Sequence, residues 1–76
     1  MSTVDQLMDL AAKRFSVDRA MLTSDGDVFQ SLGVDSMHVM SLLTEVERAF
    51  DIEIPDYELR DVRTFNDLAA CIDMRL

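Results

Sequence analysis

Apolar residues recur along this chain at intervals of three and four, the spacing that lines up one face of an α-helix. Val4, Leu7, Met8, Ala11 and Phe15 form one such stripe, predicting a first helix from about Thr3 to Arg14. Thr3 with Gln6 three positions on reads as its capping box, and Lys13 and Arg14 fall in the last turn, where the helix dipole favours cations. A second stripe, Val39, Leu42, Leu43, Val46, Ala49 and Phe50, predicts a helix from Asp35 or Ser36 to Phe50 with Asp35 as N-cap. Met37, Ser41, Thr44, Glu45 and Arg48 fall on its opposite face. A third stripe, Phe65, Leu68, Ala69 and Ile72, follows a Thr64/Asp67 cap and runs to about Met74.

Between these stripes the period fails. Residues 16 to 34 carry the turn cluster Thr23-Ser24-Asp25-Gly26-Asp27 and a second breaker, Gly33, and read as one long loop. Its apolar residues Val17, Met21, Leu22, Val28, Phe29 and Leu32 predict that the loop lies against the core. Asp51-Ile52-Glu53-Ile54 alternates, but Pro55 ends it and no partner strand is in sight, so an extended loop with its isoleucines inward is expected. Asp56 to Val62 reads as a short helical segment. The predicted fold is all-α: a four-helix bundle of three main helices and one short one, with a long first loop, in a single domain spanning 1–76.

Composition narrows the function classes. Seventy-six residues and 8.6 kDa hold one small core and leave little room for a water-excluding active-site cleft. The formal charge is −8. It disfavours nucleic acid and anionic membrane as partners and favours basic protein surfaces. Nine acids lie between Asp25 and Glu58 against Arg48 alone, so the whole net charge sits around the second helix. Cys71 has no partner for an internal disulfide, and one histidine leaves little with which to bind zinc. With no apolar run of membrane-spanning length and no signal-like start, a cytoplasmic monomer is expected.

Catalytic arrangements are poorly supported. Ser36 and His38 are two apart on a predicted helix and do not face each other, and no Gly-x-Ser-x-Gly elbow is present. Asp25-Gly26-Asp27 lacks the spacing of a calcium loop, and no glycine-rich phosphate loop occurs. Cys71, beside Ala69, Ala70 and Ile72, reads as a buried, inert thiol, and His38 as a partly exposed surface residue able to touch a partner or ligand near Ser36. Met37, opposite the core stripe, reads as an adaptable contact for a partner, with Met40 on the flank of the helix.

Leu32-Gly33-Val34-Asp35-Ser36-Met37, opening a helix that ends in Phe50-Asp51-Ile52-Glu53-Ile54-Pro55, resembles the acyl carrier protein family. The resemblance extends over nearly the whole chain, including Val28-Phe29 before the motif and the Thr64-to-Leu68 start of the last helix. It implies a non-catalytic carrier in which Ser36 bears 4′-phosphopantetheine, placed there from coenzyme A by a phosphopantetheinyl transferase with Mg²⁺ in that enzyme's site. The arm's thiol would then hold acyl intermediates as thioesters. A serine at a helix N-terminus suits a phosphodiester, because unpaired N–H groups and the positive end of the dipole lie there.

By position, the resemblance gives Asp35, Met37 and His38 places beside the attachment point. It makes Met37, Met40, Ser41, Thr44, Glu45, Glu47 and Arg48 the face read by partner enzymes such as a loading enzyme or ketosynthase with basic docking surfaces. Phe29, Leu32, Val39, Leu42, Leu43, Val46, Ile54, Leu59, Val62, Leu68 and Ile72 would form the core and line any acyl pocket. Met37 and His38 stand where fatty-acid carriers usually have Leu and further acids, Arg48 is basic, and Arg60 and Arg63 add positive charge. These departures point to a discrete carrier of a specialised polyketide-like or other secondary-metabolite pathway. A housekeeping fatty-acid carrier and an aminoacyl or peptidyl carrier are the alternatives within the family. From another class, an unmodified acidic helical module binding a basic partner is the competing reading.

Overall fold

The computed structural model describes residues 2–76, with Ser36 and Asp56 described by backbone alone. Four α-helices follow one another: α1 (Thr3–Phe15), α2 (Val28–Leu32), α3 (Ser36–Phe50) and α4 (Phe65–Asp73), with 3₁₀ turns at Arg19–Met21 and Asp56–Asp61. Three of the four are long. Among the described residues no strand forms, and only an isolated bridge joins Asp27 to Thr64. The all-α architecture anticipated from periodicity is the one found.

The core is built from the stripes. Leu7, Met8, Ala11 and Ala12 of α1, Val39, Leu42, Leu43 and Val46 of α3, and Phe65, Leu68, Ala69 and Ile72 of α4 are buried together. α1 packs most extensively on α4. Ile54 is buried and Ile52 half-buried, so the Ile-Glu-Ile segment is an extended anchor. Two positions expected to face the core are exposed. Ala49, on the apolar stripe of α3, is exposed, because it lies on the flank that faces an open groove beside α1; Met21 is exposed on its own 3₁₀ turn.

Caps set the helix boundaries. α1 is capped one residue earlier than expected: the Ser2 hydroxyl accepts the Asp5 N–H at 3.2 Å. Thr3 is the first helical residue, and its hydroxyl instead donates to Asp73 Oδ1 at 2.5 Å, joining the start of α1 to the end of α4. At α4 the Thr64/Asp67 capping box is complete: Asp67 N–H donates to Thr64 Oγ1, and Asp67 Oδ2 accepts the Thr64 N–H, both at 3.1 Å. A third bond, from the Arg63 N–H at 3.1 Å, converges on the same oxygen. The bonds from Thr64 and Arg63 hold the Asp67 carboxyl below its ordinary value.

The long loop contains structure that periodicity did not predict. α2 is only five residues long, too short to show a repeating stripe. It is fixed by Asp27, whose carboxylate accepts the Gln30 N–H at 2.9 Å, and by Gly33, whose φ of 66° closes the helix in the left-handed region. Val28 N–H to Arg63 O at 2.7 Å and Asn66 N–H to Ser24 O at 2.8 Å fasten the starts of α2 and α4 to each other. The segment expected to be helical after Pro55 is a 3₁₀ turn, held by the ion pair of Glu58 with Arg75 to the residues just beyond α4. Among the described residues no helix is long and apolar enough to cross a membrane.

Candidate carrier site

The site grows out of the α2–α3 junction. Gly33 turns the chain, its N–H bonding Gln30 O at 3.3 Å while Val34 N–H reaches Phe29 O at 3.1 Å. Only Val34 and the cap Asp35 then separate it from Ser36, the first residue of α3. Any side chain at Gly33 would be strained by the positive φ even though the space around it is open. The junction therefore fixes where α3 begins and presents its first turn at the surface.

Asp35 is extended, and its Oδ1 accepts the His38 N–H at 3.1 Å. The same oxygen lies 2.7 Å from His38 Nδ1, both side chains being 66% exposed. The hydrogen bond from the His38 ring, followed by that from its backbone and a smaller one from Met37, holds the Asp35 carboxyl below its ordinary range. Asp35 therefore stays ionised at neutral pH, while His38 fixes its orientation. Met37 beside them is 80% exposed. The side chain of Ser36 lies outside what is described, and its backbone position carries the argument.

One turn further along α3, a cavity of about 80 Å³ opens beside Met40. It is lined by Val28, Phe29, Val39, Met40, Leu43, Leu59, Val62 and Leu68. Six of these, Phe29, Val39, Leu43, Leu59, Val62 and Leu68, are among the eleven residues suggested for an acyl pocket. Leu32, Leu42, Val46, Ile54 and Ile72 belong to the hydrophobic core but are not part of this lining. Val28 and Met40 were not anticipated there. Met40 was read only as a surface contact, although its flank position on α3 is the signal that it could face both ways.

The suggested partner face divides. Met37, Met40, Ser41 and Thr44 are exposed, the last two as a polar strip in which Thr44 Oγ1 donates to Met40 O at 3.2 Å. The two glutamates are engaged elsewhere. Glu45 pairs with Arg14 at 3.4 Å, and Glu47 Oε2 accepts the Ile54 N–H at 3.1 Å, tying the Ile-Glu-Ile segment to α3. Arg48 borders a groove with α1. Cys71, expected to be buried, is half-buried because α4 leaves one flank open. Its thiol is pushed up, by desolvation first and by the nearby Asp67 charge second.

An exposed helix start with a fixed acid before it and an apolar cavity one turn beyond can present a covalently attached group and shelter its apolar end. That is a carrier's arrangement. A family model described as the phosphopantetheine attachment site matches residues 5–72. The chain is 36% identical over 63 residues to an acyl carrier protein of Syntrophobacter fumaroxidans, covering 83% of this chain and 78% of that one. It is 30% identical over 77 residues to an acyl carrier protein of Amoebophilus asiaticus, covering 100% of this chain and 96% of that one. The chain belongs to the acyl carrier protein family, whose members are non-catalytic carriers of a covalently attached 4′-phosphopantetheine. The residues present fit that group. The exposure of Asp35, Met37 and His38 leaves lateral room, and the N-terminal end of α3 favours a phosphodiester's charge.

Proposed function

We propose that Ser36 is the attachment residue and that the chain carries acyl cargo in a specialised, polyketide-like pathway. The observation that supports the attachment is the position of Ser36 as first residue of α3, directly after the fixed cap Asp35 and beside exposed neighbours. In the transfer, the Ser36 hydroxyl oxygen forms a bond to the phosphorus of coenzyme A's phosphopantetheinyl group, and adenosine 3′,5′-bisphosphate leaves. Once attached, the arm supplies a terminal thiol that holds the cargo as a thioester. Asp35, the residue before Ser36, contributes a carboxylate that the transferase's Mg²⁺ could use during transfer, and His38 holds that carboxylate in place.

The cavity beside Met40 serves as the seat for the first carbons of the cargo. At about 80 Å³ it is roughly half the size of the ~150 Å³ apolar cavity that admits benzene. Longer chains therefore require α2 or the Asp56–Asp61 turn to move. The pathway assignment rests on the exposed face of α3. Both of its glutamates are half-buried and engaged, so a partner meets Met37, His38, Met40, Ser41 and Thr44 rather than a row of acids. Such a face favours partners that recognise apolar and neutral groups over those steered by charge alone.

Intact-protein mass spectrometry tests the attachment. Incubation with coenzyme A, Mg²⁺ and a broad-specificity phosphopantetheinyl transferase should add one phosphopantetheinyl unit, absent in Ser36→Ala. No gain across several transferases, with the helical fold confirmed by circular dichroism, would leave the unmodified acidic module as the better reading. For the pathway, the loaded protein offered to a fatty-acid-synthase ketosynthase should turn over at least about tenfold more slowly than a housekeeping carrier. Equal turnover would place the chain in fatty-acid synthesis.

A further inference from the structure

The C-terminal halves of α1 and α3 border an open groove of about 630 Å³, lined by Leu10, Lys13, Arg14, Glu45, Arg48 and Ala49. Three of the chain's seven lysines and arginines gather here, with Glu45 the single acid among the lining residues. Glu45 is already paired with Arg14. Among the described residues neither Lys13 nor Arg48 forms an ion pair, whereas Arg19 holds Asp5 and Asp9, and Arg75 holds Glu58. On a chain of formal charge −8, this is a local excess of positive charge.

Helix dipoles account for a cation in the last turn of α1 or of α3 taken singly. They do not account for both helices directing their cations along one groove, nor for its floor. That floor includes Ala49, a position on the apolar stripe of α3 that the fold leaves uncovered, and half-buried Leu10.

We propose that this groove docks a short acidic segment of a partner protein, one apolar side chain seated over Leu10 and Ala49 and its flanking carboxylates paired with Lys13 and Arg48. Charge complementarity selects that occupant, and its extent selects the class. A nucleic acid or an anionic membrane carries its charge well beyond the groove and would overlie the acidic remainder of the surface. A segment of one or two helical turns ends where the basic rim ends, and screening over about 8 Å at physiological salt shields it from the acids beyond. Twelve residues of helix, about 18 Å, separate Arg48 from Ser36, so the groove can be held while the start of α3 stays free.

The test uses the full chain and a synthetic amphipathic peptide in which a leucine is flanked by glutamates, with its lysine-for-glutamate counterpart and phosphatidylglycerol vesicles as parallel probes. The acidic peptide should shift the amide resonances of Leu10, Lys13, Arg14, Arg48 and Ala49 and bind more weakly as salt is raised. The Lys13→Glu/Arg48→Glu double variant loses two cations from helix C-termini and should melt a few degrees lower; assayed where its circular dichroism still matches that of the parent, it should bind that peptide about tenfold more weakly. Shifts centred on Met37 and Met40, equal binding by the variant, or a preference for the lysine peptide at the groove would overturn the proposal. Vesicle binding that depends on Lys13 and Arg48, without peptide binding, would overturn it in favour of a membrane. Phosphopantetheinylation of Ser36 is scored separately and does not bear on these outcomes.

Discussion

The two sides of the bundle are built to different standards. Where α1 meets α4, Leu7, Ala11, Phe65 and Ile72 are fully buried, and the start of α1 is joined to the end of α4 by Thr3 and Asp73. Where α2 and the Asp56–Asp61 turn meet α3, Phe29, Leu59 and Val62 are only half-buried, and a cavity remains between them. The first side holds the fold. The second surrounds the carrier site and leaves space in which something can be housed. A domain with a single small core has little stability to spare, and this division concentrates it away from the cavity.

Substitution should separate the sides most sharply. Leu7→Ala on the α1–α4 side should cost about 2–5 kcal/mol, because a closed interior cannot collapse around the missing atoms. Leu59→Ala, at a half-exposed wall of an existing cavity, should cost about 1 kcal/mol. Urea denaturation of the two variants checks this, and equal losses would erase the distinction. Gly33→Ala should fall next, at about 1 kcal/mol, from the left-handed φ alone. It should also slow phosphopantetheinylation, since it distorts the junction that starts α3, and a mass-spectrometric time course would show whether it does.

The smallest effect is acid sensitivity. Asp67 and Asp35 both have carboxyls held below 3.8 in the folded chain, so the stability they lend is present above that value and is lost as pH falls through the lowered folded values. Melting temperature should therefore decline as pH drops below about 4. Asp67→Asn should flatten part of that decline, while an unchanged pH profile in the variant would show that the α4 cap does not contribute to it.

Legibility in the sequence followed element length. α3 was readable from end to end because fifteen residues carry several repeats of its stripe and Asp35 marks its start. α4 was readable from a complete capping box. At α1, Ser2 and Thr3 each have a polar partner three residues on, and only tertiary contact with Asp73 decides between them. The five residues of α2 are too few to show a period, and its caps Asp27 and Gly33 look in isolation like ordinary turn residues. In the site, the position of Ser36 and the cap at Asp35 were legible, but the His38–Asp35 bond was not, because an i,i+3 contact depends on rotamers. Nor were the cavity or the groove. One is a gap between packed side chains and the other a seam between helices separated by twenty residues of chain, and neither is written into any local pattern.

The hydrogen bond from Thr3 to Asp73 has a consequence for engineering. It brings the two ends of the bundle side by side, on elements that do not include the first turn of α3. A host polypeptide could enter near residue 2 and leave near residue 76 through almost the same point. The bundle is thus suited to insertion as a bead within a larger chain. It is equally suited to circular permutation, with the old ends fused and new ones opened in the exposed turn around Asp25.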